Sequence, residues 1–292
     1  MKKRSILDSP RFLELKKQKY KALKKKTLIW IISFSVFFLC ISFFSKWKNL
    51  NIQKIETEGN RIIDTIVLES LIKEKISSKY IWFFPKTNFL LYPKKEIKEE
   101  LSAKFKRLKN IELNLKDLQT LSVSLTERSA LYTWCGAKPL PVDNSSESED
   151  GCYFMDETGY IFDKAPYFSG QVYLKFFGSI ETSDHNPLGF YFKEKDFKNL
   201  VLYKEELEKI GLKLTSFYIG DDDDIRVALT STSAKKSPEI IFKADSSLEQ
   251  VIKNLDATLN TEPFLSDFKN KYSLLSYIDL RFGNKVYYKF NE

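Results

Sequence analysis

Histidine is almost absent from this sequence: one residue, His185, in 292. It lies in the polar run ETSDHNPLG (181–189). A lone loop histidine supplies neither a metal-ligand set nor a His-centred acid–base pair. Cysteine is scarce as well, with three residues. Two of them, Cys135 and Cys152, have no histidine nearby to complete a zinc tetrahedron. No nucleophile elbow, P-loop or HExxH is present. Ser-x-x-Lys occurs three times (Ser45–Lys48, Ser70–Lys73, Ser266–Lys269), but without the Ser-Asp-Asn and Lys-Thr-Gly partners of a penicillin-binding enzyme. The run Asp221–Asp224 lacks the alternating acids, central Gly and terminal Glu of an EF-hand, and reads as a solvated hairpin loop. The expectation is therefore no enzyme, no metal, no cofactor and no small-molecule substrate.

Charge is missing from one stretch altogether. Thr27–Ser45, TLIWIISFSVFFLCISFFS, is uncharged over nineteen residues. As a helix it would extend about 28 Å, close to the ~30 Å hydrocarbon core of a bilayer. Its serines and threonine can bond back to the helix backbone. Residues 1–26 hold eleven Lys/Arg and two acids, a net +9 against +8 for the whole chain, so the remainder is near neutral. The basic excess thus suits lipid headgroups better than nucleic acid, and predicts a cytoplasmic tail with residue 50 onward across the membrane. The tail itself is expected to be disordered or to lie on the lipid surface. A cleaved signal peptide is disfavoured: the run is long, bulky residues come after it, and Cys40 has no lipoprotein cleavage pattern before it.

The chain beyond this apolar run reads as α+β. NIQKIETEGN (51–60) is a strand ending in a Gly-Asn turn, and Asp64 caps a helix through Ile76 whose stripe is Leu68, Leu71, Ile72 and Ile76. Residues 77–92 are an aromatic loop that packs. Pro93 opens a second helix with Ile97, Leu101 and Phe105 spaced by four. Two alternating strands come next, with Ile111, Leu113 and Leu115, then Leu121, Val123 and Leu125, sharing faces. The order β-α-α-β-β predicts a three-stranded sheet with two helices on one face. Further on, strands are expected at 152–162 around a turn with Asp156 and Gly159, at Gln171–Phe177, Lys213–Ile219, Ile225–Thr230 and Glu239–Lys243. Helices are expected at Lys193–Ile210 and Ser246–Leu259, and a closing hairpin at 277–290 around Gly283-Asn284.

These residues carry a resemblance. The strand-helix-helix-hairpin ending TLSVSLTER resembles a POTRA domain, and placed after a single span and before ALYTW it resembles that of the FtsQ/DivIB cell-division family. The matching positions are Leu121, Val123, Leu125, Glu127, Arg128 and Trp134; Ala130 stands where the family usually has Pro, and its Pro-Trp-Val before the second strand is missing. CYFMDETGYIF (152–162) and YIDLRFGNKVYYKF (277–290) are similar to two later family motifs. The resemblance implies a tail (1–26), a transmembrane helix (27–45), a POTRA domain (50–128) and a β domain (129–292), the last a mixed domain with an antiparallel sheet and two or three helices. It implies a non-enzymatic, single-pass scaffold of the bacterial inner membrane, gathered at the division septum. Its partners would be FtsB/DivIC-like and FtsL-like bitopic proteins and the septal peptidoglycan synthase complex. A POTRA-bearing outer-membrane assembly or secretion component and a membrane-anchored cell-wall enzyme are the alternatives.

Two sites are expected. Cys135 and Cys152 bracket the polar loop Gly136–Gly151 and, outside the cytoplasm, form either a disulfide clipping its ends or two free thiols. The last strand, Lys285–Phe290, pairs on one side with Tyr277–Phe282, leaving its other edge to template a partner strand. Alternation puts Val286, Tyr288 and Phe290 on one face and Lys285, Tyr287 and Lys289 on the other. With Phe282 and Asn284, the residues Lys285, Val286, Tyr287, Tyr288 and Phe290 are the expected partner-binding set, by the family's docking position.

Overall fold

The computed structural model describes residues 10–139, 151–182, 186–230 and 237–291. His185 and most of the loop between Cys135 and Cys152 lie outside the described residues. The chain forms two compact units: one comprises the chain through Ser102 with Asn110–Thr126, the other Ala103–Lys109 with the chain from Glu127 onward.

The first unit begins with a helix, α1 (Pro10–Ser45). Its Lys16–Ser45 portion is long and apolar enough to cross a membrane. From residue 10 the tail is therefore helical, not disordered. Lys, Leu, Glu and Gln are good helix formers, and adding residues to an existing apolar helix avoids the cost of nucleation. After α1 come β1 (Lys54–Glu58) and α2 (Thr65–Ile76). Asp64 caps α2 by accepting a bond from the Ile66 amide at 2.8 Å. The α2 stripe Leu68, Leu71, Ile72 and Ile76 is buried. Gly59 ends β1 at φ +91°, where an added Cβ would stand 2.0 Å from the Leu125 carbonyl oxygen, so no side chain fits.

Residues 77–92 pack as expected through Phe83, Phe84 and Asn88, but not as a plain loop. They contain a short ribbon, β2 (Lys79–Tyr80) with β3 (Phe84–Pro85), whose tip residues Ile81 and Trp82 are exposed. Then α3 (Lys94–Lys104) buries Ile97 and Leu101, stopping one residue short of Phe105. β4 (Leu108–Leu115) and β5 (Thr120–Glu127) complete a sheet of order β1-β5-β4, with β1 parallel to β5. Ile111, Leu113, Leu121, Val123 and Leu125 are buried while Glu112, Asn114 and Ser124 between them are exposed, the period-two pattern of a sheet with one covered face.

The second unit is built on one nine-stranded sheet. Its strands are β6 (Tyr132–Trp134), β7 (Tyr153–Met155), β8 (Ile161–Lys164), β9 (Leu174–Phe177), β10 (Leu214–Ile219), β11 (Asp224–Leu229), β12 (Glu239–Lys243), β13 (Leu275–Phe282) and β14 (Lys285–Phe290). Their spatial order is β14-β13-β12-β11-β10-β9-β6-β7-β8. The sheet is mixed, not antiparallel: β6–β9, β9–β10 and β12–β13 are parallel pairs. Parallel neighbours need crossovers, and helices supply two of them. α4 (Phe197–Lys209) joins β9 to β10, while α5 (Leu248–Leu259) and α6 (Phe264–Lys271) join β12 to β13. The α4 helix starts four residues later than the Lys193 boundary expected.

The core of this unit is aromatic. Phe176, Phe192, Phe197, Phe217, Phe242 and Phe264 are all fully buried. Phe176 stacks on Phe217 with ring centroids 5.3 Å apart and meets Phe197 at the same separation. Each such ring removes enough apolar surface to contribute about 1.5–3 kcal/mol.

Candidate functional site

The closing hairpin carries the expected partner-binding residues. β13 and β14 pair antiparallel, with Ile278 opposite Tyr288, Asp279 opposite Tyr287 and Phe282 opposite Lys285. The register shifts between Asp279 and Phe282, placing an irregularity at Leu280–Arg281. Gly283 takes φ +62° at the first central position of the turn, as a type II′ hairpin requires. Helix α5 holds this turn: the Asn254 amide donates to the Gly283 carbonyl at 2.7 Å, and Gln250 donates to the Asn284 side chain at 3.3 Å. Sequence reasoning missed this polar clamp; its trace is the pair Gln250 and Asn254, one turn apart on one helix face.

The structure places all seven expected partner-binding residues on this hairpin but divides them. Phe282 and Tyr287 are 54% and 51% exposed, and their rings meet edge to face at 5.1 Å. Asn284 and Lys285 are exposed, as is the neighbouring Lys289. Val286 and Phe290 instead pack on the hydrophobic core. Tyr288, 38% exposed, sets its ring against Phe264 of α6 at 4.6 Å, and Phe290 lies 5.8 Å from the same ring. Three of the seven thus help hold β14 to its own helices, leaving Phe282, Asn284, Lys285 and Tyr287 accessible. β14 ends the strand order, with β13 its one strand neighbour among the described residues.

Behind the hairpin sits a charged group. Arg281 donates to both oxygens of Asp279, at 2.9 and 2.6 Å, and to Asp224 at 2.5 Å. Both carboxylates are buried. Burial would raise the Asp279 carboxyl, but the hydrogen bonds from Arg281 outweigh it and hold the group below its ordinary value. Arg281 is raised in turn, chiefly by its bond to Asp279. Asp224 corrects the reading of Asp221–Asp224 as a solvated loop. Asp221, Asp222 and Asp223 are exposed, but Asp224 is the first residue of β11 and points its charge at Arg281, fifty-seven positions away.

A second buried pair joins two stretches that the sequence separates. Arg128 donates to Asp156 at 2.5 Å and lies 3.9 Å over the Tyr160 ring. Asp156 also accepts from the Thr158 hydroxyl (2.6 Å) and from the amides of Thr158 (2.8 Å) and Tyr160 (3.2 Å). Against the upward push of burial, these bonds hold its carboxyl low. Here the carboxylate organises the β7–β8 turn. Nearby, Cys135 and Cys152 are joined as a disulfide, their Cα atoms 4.2 Å apart.

Two of the Ser-x-x-Lys serines spend their hydroxyls locally. Ser70 donates to the Val67 carbonyl at 2.9 Å and Ser266 to Glu262 at 2.6 Å. Among the described residues no group of three or more His, Cys, Asp or Glu is placed to hold a metal ion. In comparison with known proteins, no family model matches the chain and no curated protein matches it.

Proposed function

We propose that the chain is a bitopic scaffold of the bacterial division machinery, of the FtsQ/DivIB kind, with its first unit of the POTRA type. In this reading α1 crosses the inner membrane with its basic end in the cytoplasm. The outer edge of β14 captures a strand from an FtsB/DivIC-like protein, with an FtsL-like protein in the same complex, and so regulates the septal peptidoglycan synthase. The observation that carries the reading is that outer edge: backbone donors and acceptors beside the exposed rings of Phe282 and Tyr287 and the charges of Lys285 and Lys289. Main-chain pairing would supply affinity, and the aromatic and lysine side chains would set register.

A fluorescent fusion of the full chain is expected to gather at midcell, and depletion to give filaments. An even membrane halo with undisturbed division would overturn the proposal. For topology, a membrane-impermeant maleimide should label Asp222→Cys in intact spheroplasts; protection there would reverse the orientation.

A further inference from the structure

The tip of the β2–β3 ribbon breaks the chemistry of its own turn. Tyr80–Phe83 closes with the Phe83 amide bonded to the Tyr80 carbonyl at 3.1 Å. Its central residues, Ile81 and Trp82, have φ +45° and +67°. Two consecutive positive φ values belong to Asn and Gly; a β-branched residue there is strained. Yet these positions hold two of the largest apolar side chains available, 77% and 90% exposed. In water, both the strain and the exposed apolar area are unfavourable.

The ribbon's position supplies the missing solvent. Along the C-terminal part of α1, Phe38, Ser42 and Ser45 are covered, at the i, i+4, i+7 spacing of one helix face, while Ile41, Phe43 and Phe44 stay exposed. The ribbon and the loop after it cover that face. Phe83 and Phe84 meet the Phe38 ring edge-on at 6.0 and 5.2 Å. Ser42 donates to the Phe83 carbonyl at 3.1 Å, and Asn88 donates to the Ser45 carbonyl at 3.2 Å. Phe38 lies seven residues before the end of the apolar run, about 10 Å along the helix axis. The tip therefore sits beside the apolar part of α1, not beyond its end. Its backbone suits that depth, because the turn bond, the strand pairing and the Ser42 hydroxyl occupy polar groups that lipid would leave bare. Toward the end of α1 the surroundings turn basic, with Lys46, Lys48 and Lys79 exposed.

We propose that the Tyr80–Phe84 tip is a lipid-inserted wedge, with Ile81 and Trp82 entering the leaflet around the C-terminal end of α1 and the lysines meeting its headgroups. Apolar side chains at about 5–10 Å depth and an interfacial tryptophan are the usual means of holding a domain against a bilayer. The wedge would give the first unit a second foothold beside α1, fixing its height and rotation at the membrane. This inference rests on the reading of α1 as a membrane span, and the test separates the two.

The full chain, with Cys40→Ser, is reconstituted in nanodiscs of phosphatidylethanolamine and phosphatidylglycerol. A nitroxide is attached at Trp82→Cys, at Phe34→Cys within α1, or at Asp222→Cys. Labels at 82 and 34 are expected to collide with oxygen and to lose access to an aqueous nickel chelate, while 222 keeps it. Nickel access at 82 with 34 shielded would overturn the wedge and leave the span. Nickel access at 34 would overturn the span and the wedge with it. Shielding of 82 from both reagents would mean that protein covers the tip, a partner's helix for example, and would also overturn the proposal. A second measurement keeps the native tip. In a Trp30→Phe/Trp47→Phe chain, acyl-brominated lipid should quench emission, and the further change Trp82→Phe should abolish that quenching; unquenched emission before that change would overturn the wedge.

Discussion

Two hairpin turns in this chain solve the same backbone problem with opposite chemistry. The β13–β14 turn uses Gly283 at φ +62° and polar Asn284, and α5 holds it by side-chain hydrogen bonds. The β2–β3 turn uses Ile81 and Trp82 at φ +45° and +67°. The first follows turn propensity, and its neighbours Phe282 and Tyr287 carry the exposed rings. The second sets propensity aside and puts its rings at the tip itself. A turn that obeys its local rules says where the chain reverses; one that violates them says that something else selects the residues. In the readings proposed above, the edge beside Gly283–Asn284 would meet a partner strand and the Ile81–Trp82 tip would meet lipid.

The largest effect expected in this comparison comes from removing what stands behind the first hairpin. Arg281→Met leaves Asp279 and Asp224 buried without their cation. Breaking a buried pair from one side costs about 3 kcal/mol, or about 6–12 °C in Tm for a unit of this size. The pH dependence gives a sharper signature. In the native chain Asp279 titrates below 3.8, so its contribution is present above that value and is lost as pH falls through its lower folded value. In Arg281→Met the side-chain bonds are lost and burial is opposed only by the amide of residue 281 and the charge of Arg226, so Asp279 is held less far below its ordinary value than in the native chain. The native chain therefore has more to lose on protonation of Asp279, and the stability gap between the two chains should narrow as pH falls below about 4. A gap of constant size in thermal melts across that range would show that Asp279 is not the group involved.

The two turns themselves should respond in opposite senses. Gly283→Ala is expected to cost about 1–2 kcal/mol purely through its backbone, because an added Cβ there meets nothing within 4 Å. Ile81→Asn/Trp82→Gly should instead stabilise its turn locally, by about 1 kcal/mol. Hydrogen exchange at the Phe83 amide, which closes that turn, should then slow by roughly fivefold. Slower exchange after both changes, or faster after both, would remove the contrast on which the reading of the tip depends.

The same contrast explains what was legible in the sequence. Asp64, the α2 stripe and the Gly283–Asn284 turn act through near neighbours, and they stand in the structure where periodicity and capping place them. The β2–β3 turn was not legible, because nothing in Ile81-Trp82 signals a reversal. The mixed sheet was not legible either. Whether β12 pairs with β13 in parallel depends on how α5 and α6 return the chain, and alternation within each strand is the same for either direction. Asp224 was misread for a related reason. A run of four acids looks solvated from within, and Arg281, which buries the fourth, arrives fifty-seven residues later. In the expected partner set, the period-two pattern grouped Val286, Tyr288 and Phe290, but alternation alone does not tell which face meets the helices. Phe264 decides that by lying under Tyr288 and Phe290.

That last division yields the test with the smallest effect on the fold. Tyr287 and Lys289 face away from Phe264, so Tyr287→Ala and Lys289→Glu should each change stability by less than about 0.5 kcal/mol. Tyr288→Ala removes a ring packed on Phe264 and should destabilise measurably, which makes it a poor probe of binding. If the outer edge captures a partner strand, Tyr287→Ala should weaken capture about tenfold, the usual cost of truncating an aromatic anchor, about 1.4 kcal/mol. Lys289→Glu reverses a charge beside the incoming strand. Its effect should therefore shrink as salt is raised, whereas the loss from Tyr287→Ala should not. The measurement is titration of the detergent-solubilised full chain with the FtsB/DivIC-like partner, with thermal melts as the folding control. Unchanged affinity in both variants, with both melts intact, would move the docking surface away from β14.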